Sequence, residues 1–190
     1  MNVRTSRIIE FCFSFLVAFL VLSVMSFLSL RPVLKEVRFE ARAEWDGFVR
    51  AVKERNELLP GLIEAVKGFE PGHTKLAESL LEARSISVRT ADPSGLVAAV
   101  DDIERCLVQI DNLVKTRSGL EQYPPFVGNW KRVLKLTQRI SWLRSTYNAD
   151  VKLYNRLLTP FPQNLITSVF GFVPLTDYPS PGSIGDSDFR

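Results

Sequence analysis

The chain has 190 residues, with 24 Lys plus Arg against 21 Asp plus Glu, a formal net charge of +3. Its 46% hydrophobic content excludes a wholly disordered chain, which lacks the apolar surface to offset ordering entropy. Two cysteines, Cys12 and Cys106, and one histidine, His73, exclude a disulfide framework, a cysteine-based zinc site and a multi-histidine metal centre.

Arg4 and Arg7 precede an uncharged apolar run over 11–30. As a helix, a run of about twenty residues is roughly 30 Å long, the thickness of a bilayer's hydrocarbon core. The pattern predicts an uncleaved transmembrane helix over about 8–30, within an anchor segment 1–31, whose partner is membrane lipid. A cleaved signal peptide fits less well. The run is too long, and Phe27-Leu28-Ser29-Leu30-Arg31 is not a small-x-small cleavage site. Phenylalanines on all faces argue against a core helix of a soluble fold. Arg31, Lys35, Arg38 and Arg42 on the far side mildly favour a cytoplasmic domain. That rule weakens for long domains, so the side stays open.

Helical periodicity dominates the remainder, and no stretch reads as a strand. The first stretch, 33–69, spaces Trp45, Phe48, Val52, Arg55, Leu59, Leu62, Val66 and Phe69 at alternating threes and fours. Such a seam resembles that of a coiled coil. Pro32 marks a plausible break, though proline is also tolerated in a first turn. Pro60 removes a backbone donor, which predicts a kink near 56–59, and Gly68 with Pro71-Gly72 ends the helix. A second helix is expected over 73–89, with Leu76, Leu80, Ala83 and Ile86 inward. Asp92-Pro93-Ser94 reads as a turn opening a third helix over 93–117. Leu96, Val100, Ile103, Leu107, Ile110 and Val114 form its seam. Gly119 stops it, and Tyr123-Pro124-Pro125 is an extended linker. The fourth and longest helix, 126–158, carries Phe126, Trp130, Val133, Thr137, Ile140, Arg144, Tyr147, Val151, Tyr154 and Leu158 at the same spacing. A short helix is expected over 164–172. The segment 174–190, rich in Pro, Gly, Ser and Asp, is expected to be a disordered tail.

Long helices with narrow apolar seams bury those seams on one another, and short connections make neighbours antiparallel. The fold class expected is all-α: an antiparallel, up-down helical bundle over 33–173, preceded by a single N-terminal transmembrane helix.

Few residues suggest chemistry. His73 follows Pro71-Gly72 with no Ser, Cys or Asp partner in a recognisable arrangement, so a capping or solvent-facing role is expected. Cys106 adjoins a seam and reads as a small buried hydrophobe. Asp101, Asp102 and Glu104 lack the histidines that bundle metal sites use. No catalytic residue, cofactor or metal is therefore expected. Arg55 and Arg144 occupy seam positions. Each is expected to pair with a carboxylate, with Glu57, Glu64 and Glu104 as candidates, because an unpaired buried charge is costly. Lys131, Lys135 and Arg139 form one stripe on a markedly basic fourth helix. That stripe fits either charge complementarity with the acidic third helix or contact with anionic lipid or an acidic partner. The small overall excess and the lack of a recognition motif argue against nucleic acid. Tyr147-Asn148 and Tyr154-Asn155 stand seven apart. They form either a packed stripe with satisfied polar tips or a recognition face. Lys131, Lys135, Arg139, Tyr147, Asn148, Tyr154 and Asn155 together make the candidate interaction face.

The stretch 44–84, EWDGFVRAVKERNELLPGLIEAVKGFEPGHTKLAESLLEAR, resembles the LemA family. Glu57-Leu58-Leu59-Pro60-Gly61-Leu62-Ile63-Glu64 and Val66-Lys67-Gly68-Phe69 match its central pattern. Glu121-Gln122-Tyr123-Pro124, Arg139-Ile140, the run from Arg144 to Asn155, Phe161-Pro162 and Phe170-Gly171-Phe172 match later motifs. The likeness spans 37 to about 178. Val37-Arg38-Phe39-Glu40 departs from a Tyr-Asn pair common there, Gln138 replaces an acidic residue, and the linker at 90–96 is trimmed. The resemblance implies a single-pass protein of the bacterial inner membrane with an antiparallel bundle and no established enzymatic activity. One branch of the family builds magnetosome membranes, which implies a possible role in membrane organisation. The leading expectation is an anchored, non-enzymatic scaffold that docks a protein partner or itself. A carboxylate enzyme in a bundle cleft is the less favoured reading.

Overall fold

A computed structural model describes residues 3–69, 74–116, 119, 122–160, 164 and 170–178, with α1 side chains described over 10–68. It contains α1 (Val3–Phe69), α2 (Thr74–Arg89), α3 (Pro93–Thr116) and α4 (Pro124–Leu158), and no strand among the described residues. The helices fall close to where the periodicity placed them, with α1 helical through both Pro32 and Pro60. Pro124 and Pro125, expected in an extended linker, instead form the first turn of α4, where a missing N–H has no intrahelical partner to lose. The chain divides into two compact units. One comprises Met1–Arg42 with Ala149–Asp177, the other Ala43–Asn148 with Tyr178–Arg190.

In the first unit, the apolar run is exposed along most of its length. Phe11, Phe13 and Phe15 are 73%, 67% and 68% exposed. The run is long and apolar enough to cross a membrane. Two of its serines hide their hydroxyl protons on the helix itself, Ser23 Oγ donating to the Phe19 carbonyl at 2.7 Å and Ser29 Oγ to that of Met25 at 3.0 Å. Such back-bonding satisfies a hydroxyl where no water is available. Phe27 differs from its neighbours in being buried, and joins Leu34, Val37, Tyr154, Leu158 and Phe172 in one cluster. Asn155 fastens the following extended segment. Its Nδ2 donates to the Leu175 carbonyl and its Oδ1 accepts from the Leu175 N–H, at 2.8 and 2.9 Å. Most of the short helix expected over 164–172 lies outside the described residues. Its end is a turn at Phe170 and Gly171, where Gly171 has φ +76°.

In the second unit, four helical segments pack as a bundle. α2 and α3 form a hairpin whose joint is specified locally. Asp92 caps α3, its Oδ2 accepting from the Gly95 N–H at 2.8 Å while its carbonyl accepts from the Leu96 N–H. Pro93 occupies the first helical position, where the missing N–H costs nothing. All four helices meet in one apolar cluster that includes Leu59, Leu62, Leu80, Ile103, Ile110, Phe126 and Val133. A second cluster joins Phe48, Val52, Val97, Val100, Ile140 and Leu143 from α1, α3 and α4. The inward face of α2 is Leu76, Ala77, Leu80, Ala83 and Ser87, and Ile86, expected inside, is exposed. The reason is polar: buried Ser87 Oγ accepts from Asn56 Nδ2 at 2.9 Å, so the α2 seam ends on a hydroxyl.

Pro60 shapes this contact. Within an α-helix its missing N–H leaves the carbonyl four residues earlier, that of Asn56, without an intrahelical partner. Arg84 Nε of α2 donates to that carbonyl at 2.7 Å. The stretch 56–59, expected to kink, stays helical, and the carbonyl that Pro60 frees takes its donor from α2 instead.

Candidate functional site

The seam of α1 in the second unit is apolar except at Arg55, which lies between the two clusters and is 0% exposed. Its Nη1 lies 3.8 Å from Glu104 Oε1 of α3 and donates to Thr137 Oγ1 of α4 at 3.4 Å. Its Nε and Nη2 are buried without a hydrogen-bond partner among the described residues. Burial pushes the Arg55 pKa down to about 10, against the pull of Glu104 and Asp101. Glu104 moves the opposite way. Burial raises its pKa, while Arg55 opposes and Asp101 assists. Each charged form is therefore disfavoured by its surroundings more than its partner compensates.

Arg144 of α4, 3% exposed, is better held. Its Nη1 and Nη2 donate to the two carboxylate oxygens of Asp101 at 2.5 and 3.3 Å. A planar guanidinium facing a carboxylate this way gains two charge-assisted bonds at once. Arg144 Nε then donates to the Tyr178 carbonyl at 2.7 Å. Asn148, one helical turn on, completes the seat. Its Nδ2 donates to the same carbonyl at 2.8 Å and its Oδ1 accepts from the Tyr178 N–H at 2.7 Å. The Tyr178 ring lies against Trp45 and Tyr147, with centroids 5.3 and 6.1 Å away. Tyr178, expected in a coreless tail, is therefore seated within this unit. The remaining tail, 179–190, lies outside the described residues, as does His73.

Both seam arginines thus find carboxylates. Glu104 is one of the three named candidates, while Glu57 and Glu64 are exposed. Asp101 was missed. Its position, three residues before Glu104 and one after the buried Val100, was the available signal.

The seven residues of the candidate face do not share one exposed surface. Lys131, Lys135 and Arg139 are exposed and have no ion-pair partner among the described residues. Tyr147 is buried against Trp45, and Asn148 is engaged with Tyr178. In the other unit Tyr154 is 0% exposed and Asn155 is engaged with Leu175. The physical reason is that an asparagine side chain presents the same donor and acceptor pair as a peptide group, so each fastens its own chain's extended backbone. Sequence reasoning also passed over Trp142, which is 61% exposed. It follows Arg139 by three positions, so the cationic stripe at i, i+4 and i+8 continues to an indole at i+11.

Cys106 is buried, and burial, with Asp102 nearby, raises its pKa, which keeps it a thiol. No cluster of three or more His, Cys, Asp or Glu gathers to hold a metal among the described residues.

An apolar helix long enough to cross a membrane, joined to an antiparallel bundle with internal ion pairs, defines the class of protein. The family model described as "LemA family" matches residues 44–182, and the chain belongs to that family. A comparison with curated proteins gave no match.

Proposed function

We propose that this protein is a membrane-anchored, non-enzymatic scaffold that docks a protein partner, or a second copy of itself, through the outer face of α4. The observation that carries this reading is the exposed stripe Lys131, Lys135 and Arg139 ending on Trp142. Three cations with no ion-pair partner among the described residues, beside a large exposed indole, suit an acidic segment with an apolar anchor. The buried arginines and carboxylates support the same reading, because they hold the fold and each other. The run at 11–30 would anchor the chain in a bacterial inner membrane.

The test is purification of the full chain in mild detergent beside the K131E/K135E/R139E and Trp142→Ala chains. Association with a partner or a second copy is expected for the parent chain. It should weaken in both variants, whose circular dichroism and melting stay unchanged. A parent chain that carries neither partner nor second copy ends the docking reading. A role in membrane or organelle-membrane assembly is a second reading, favoured only by the extent of the exposed apolar run.

A further inference from the structure

We propose that the turn at Phe170–Val173 is a second membrane contact, inserted into the interfacial layer of the bilayer beside the anchor helix. The inference rests on the anchoring reading above and deepens it.

The argument starts from Phe27. It lies inside the apolar run yet is only 2% exposed, unlike the residues on either side. The turn packs on it, beside Leu34 of α1 and Leu158 of α4 in the same cluster. The Phe170 ring stacks on Phe27 with centroids 4.8 Å apart and planes 25° apart, and Phe172 meets it edge-on at 6.3 Å. Only Phe172 is itself buried by this contact. Phe170 and Val173 remain 57% and 55% exposed. Gly171, at φ +76°, supplies a left-handed bend between the two phenylalanines that a side-chain-bearing residue rarely adopts.

The level of the turn follows from the helix. Arg31, the first charge after the run, is exposed and stands one turn beyond Phe27. A turn of helix rises about 5–6 Å, so a ring stacked on Phe27 lies that far on the hydrocarbon side of the headgroup-level arginine. An apolar side chain at this depth sits where interfacial segments bury their apolar face. Exposed Phe170 and Val173 would be a liability in water but are suited to lipid. The occupant of this patch is therefore the acyl and glycerol region of the same leaflet, continuous with the lipid around the run.

The full-length chain, reconstituted in phosphatidylcholine and phosphatidylglycerol vesicles, tests this with a photo-crosslinking benzophenone phenylalanine placed singly at position 15, 170 or 142. Lipid adducts at 170 within about threefold of those at 15, and near background at 142, are expected for an interfacial insertion. Adducts at 15 but none at 170 overturn the proposal and leave the anchor intact. Adducts at 170 that are protein rather than lipid also overturn it. No lipid adduct at 15 ends the anchoring reading itself, and the proposal with it. Because the bulky label could disturb the stack on Phe27, a Cys12→Ala/Val173→Cys chain, in which the introduced thiol is the accessible one because Cys106 is buried, carries a polarity-sensitive dye as an independent reading. Quenching by lipids brominated near the headgroup supports insertion, and an unquenched, water-like emission refutes it.

Discussion

Pro60, Asn56 and Arg84 show how a single missing proton propagates. The proline frees one carbonyl, and a guanidinium from the next helix takes it. Removing that donor leaves the carbonyl in a partly buried place without a partner, a loss of about 1–3 kcal/mol. Arg84→Ala should therefore lower stability by that amount in urea unfolding. Arg84→Ala combined with Pro60→Ala should recover part of it, because the restored N–H bonds the carbonyl within the helix. A double variant no more stable than the single one would show that Arg84 acts elsewhere.

Glu104 gives a second test at this scale, and its sign can be worked out. Its pKa is raised on folding, so the folded chain holds the proton more tightly than the unfolded chain. Between the unfolded value and the raised folded value, this group's contribution to stability falls as pH rises. Glu104→Gln removes that slope. Melting temperatures taken from the acidic range towards neutrality should fall less steeply in this variant than in the parent. An unchanged profile would mean that the carboxylate titrates alike in both states.

At the scale of elements, α4 does more than supply a seam. Arg144 joins it to α3 through Asp101, and Asn148 holds an extended residue by both of its backbone groups. Arg144→Ala strands a largely buried carboxylate and should cost about 3–5 kcal/mol. The asparagine can be dissected more finely. Asn148→Asp keeps the acceptor for the Tyr178 N–H and loses the donor to its carbonyl, while Asn148→Ala loses both. Hydrogen exchange at the Tyr178 amide should therefore quicken in the alanine variant and stay slower in the aspartate one. Equal rates in the two variants would mean that the amide is protected by something other than Asn148.

These elements also show where the sequence was legible. The alternation of threes and fours marks most of the buried positions, including the charged Arg55 and Arg144, because the buried stripe of a long helix follows its period. Asp92-Pro93 is legible as a start because capping is local. Ser87 replacing Ile86, Asp101 as the partner of Arg144, and the two asparagines closing on Leu175 and Tyr178 are not local. Each depends on which polar atoms a distant segment brings, and a hydrophobic pattern is silent about polar pairing. Trp142 was legible in principle, as a large apolar residue lying off the seam.

For the whole molecule, the decisive feature is that the two units draw on separate cores. The clusters of the bundle unit contain no residue before Trp45, whereas Phe27, Leu34, Val37 and Tyr154 belong to the other. All three tryptophans, Trp45, Trp130 and Trp142, lie in the bundle unit. Indole fluorescence therefore reports that unit, while far-ultraviolet circular dichroism reports helix from both. Phe27→Ala removes a fully buried ring, a change that in a packed core costs about 3–5 kcal/mol. In vesicles, this variant should begin to lose helical signal at a lower temperature than the parent, while its tryptophan transition stays in place. Coincident, equally lowered transitions would show that the two cores melt as one cooperative body. An unshifted helical signal would show that Phe27 is held by lipid as well as by Phe170 and Phe172.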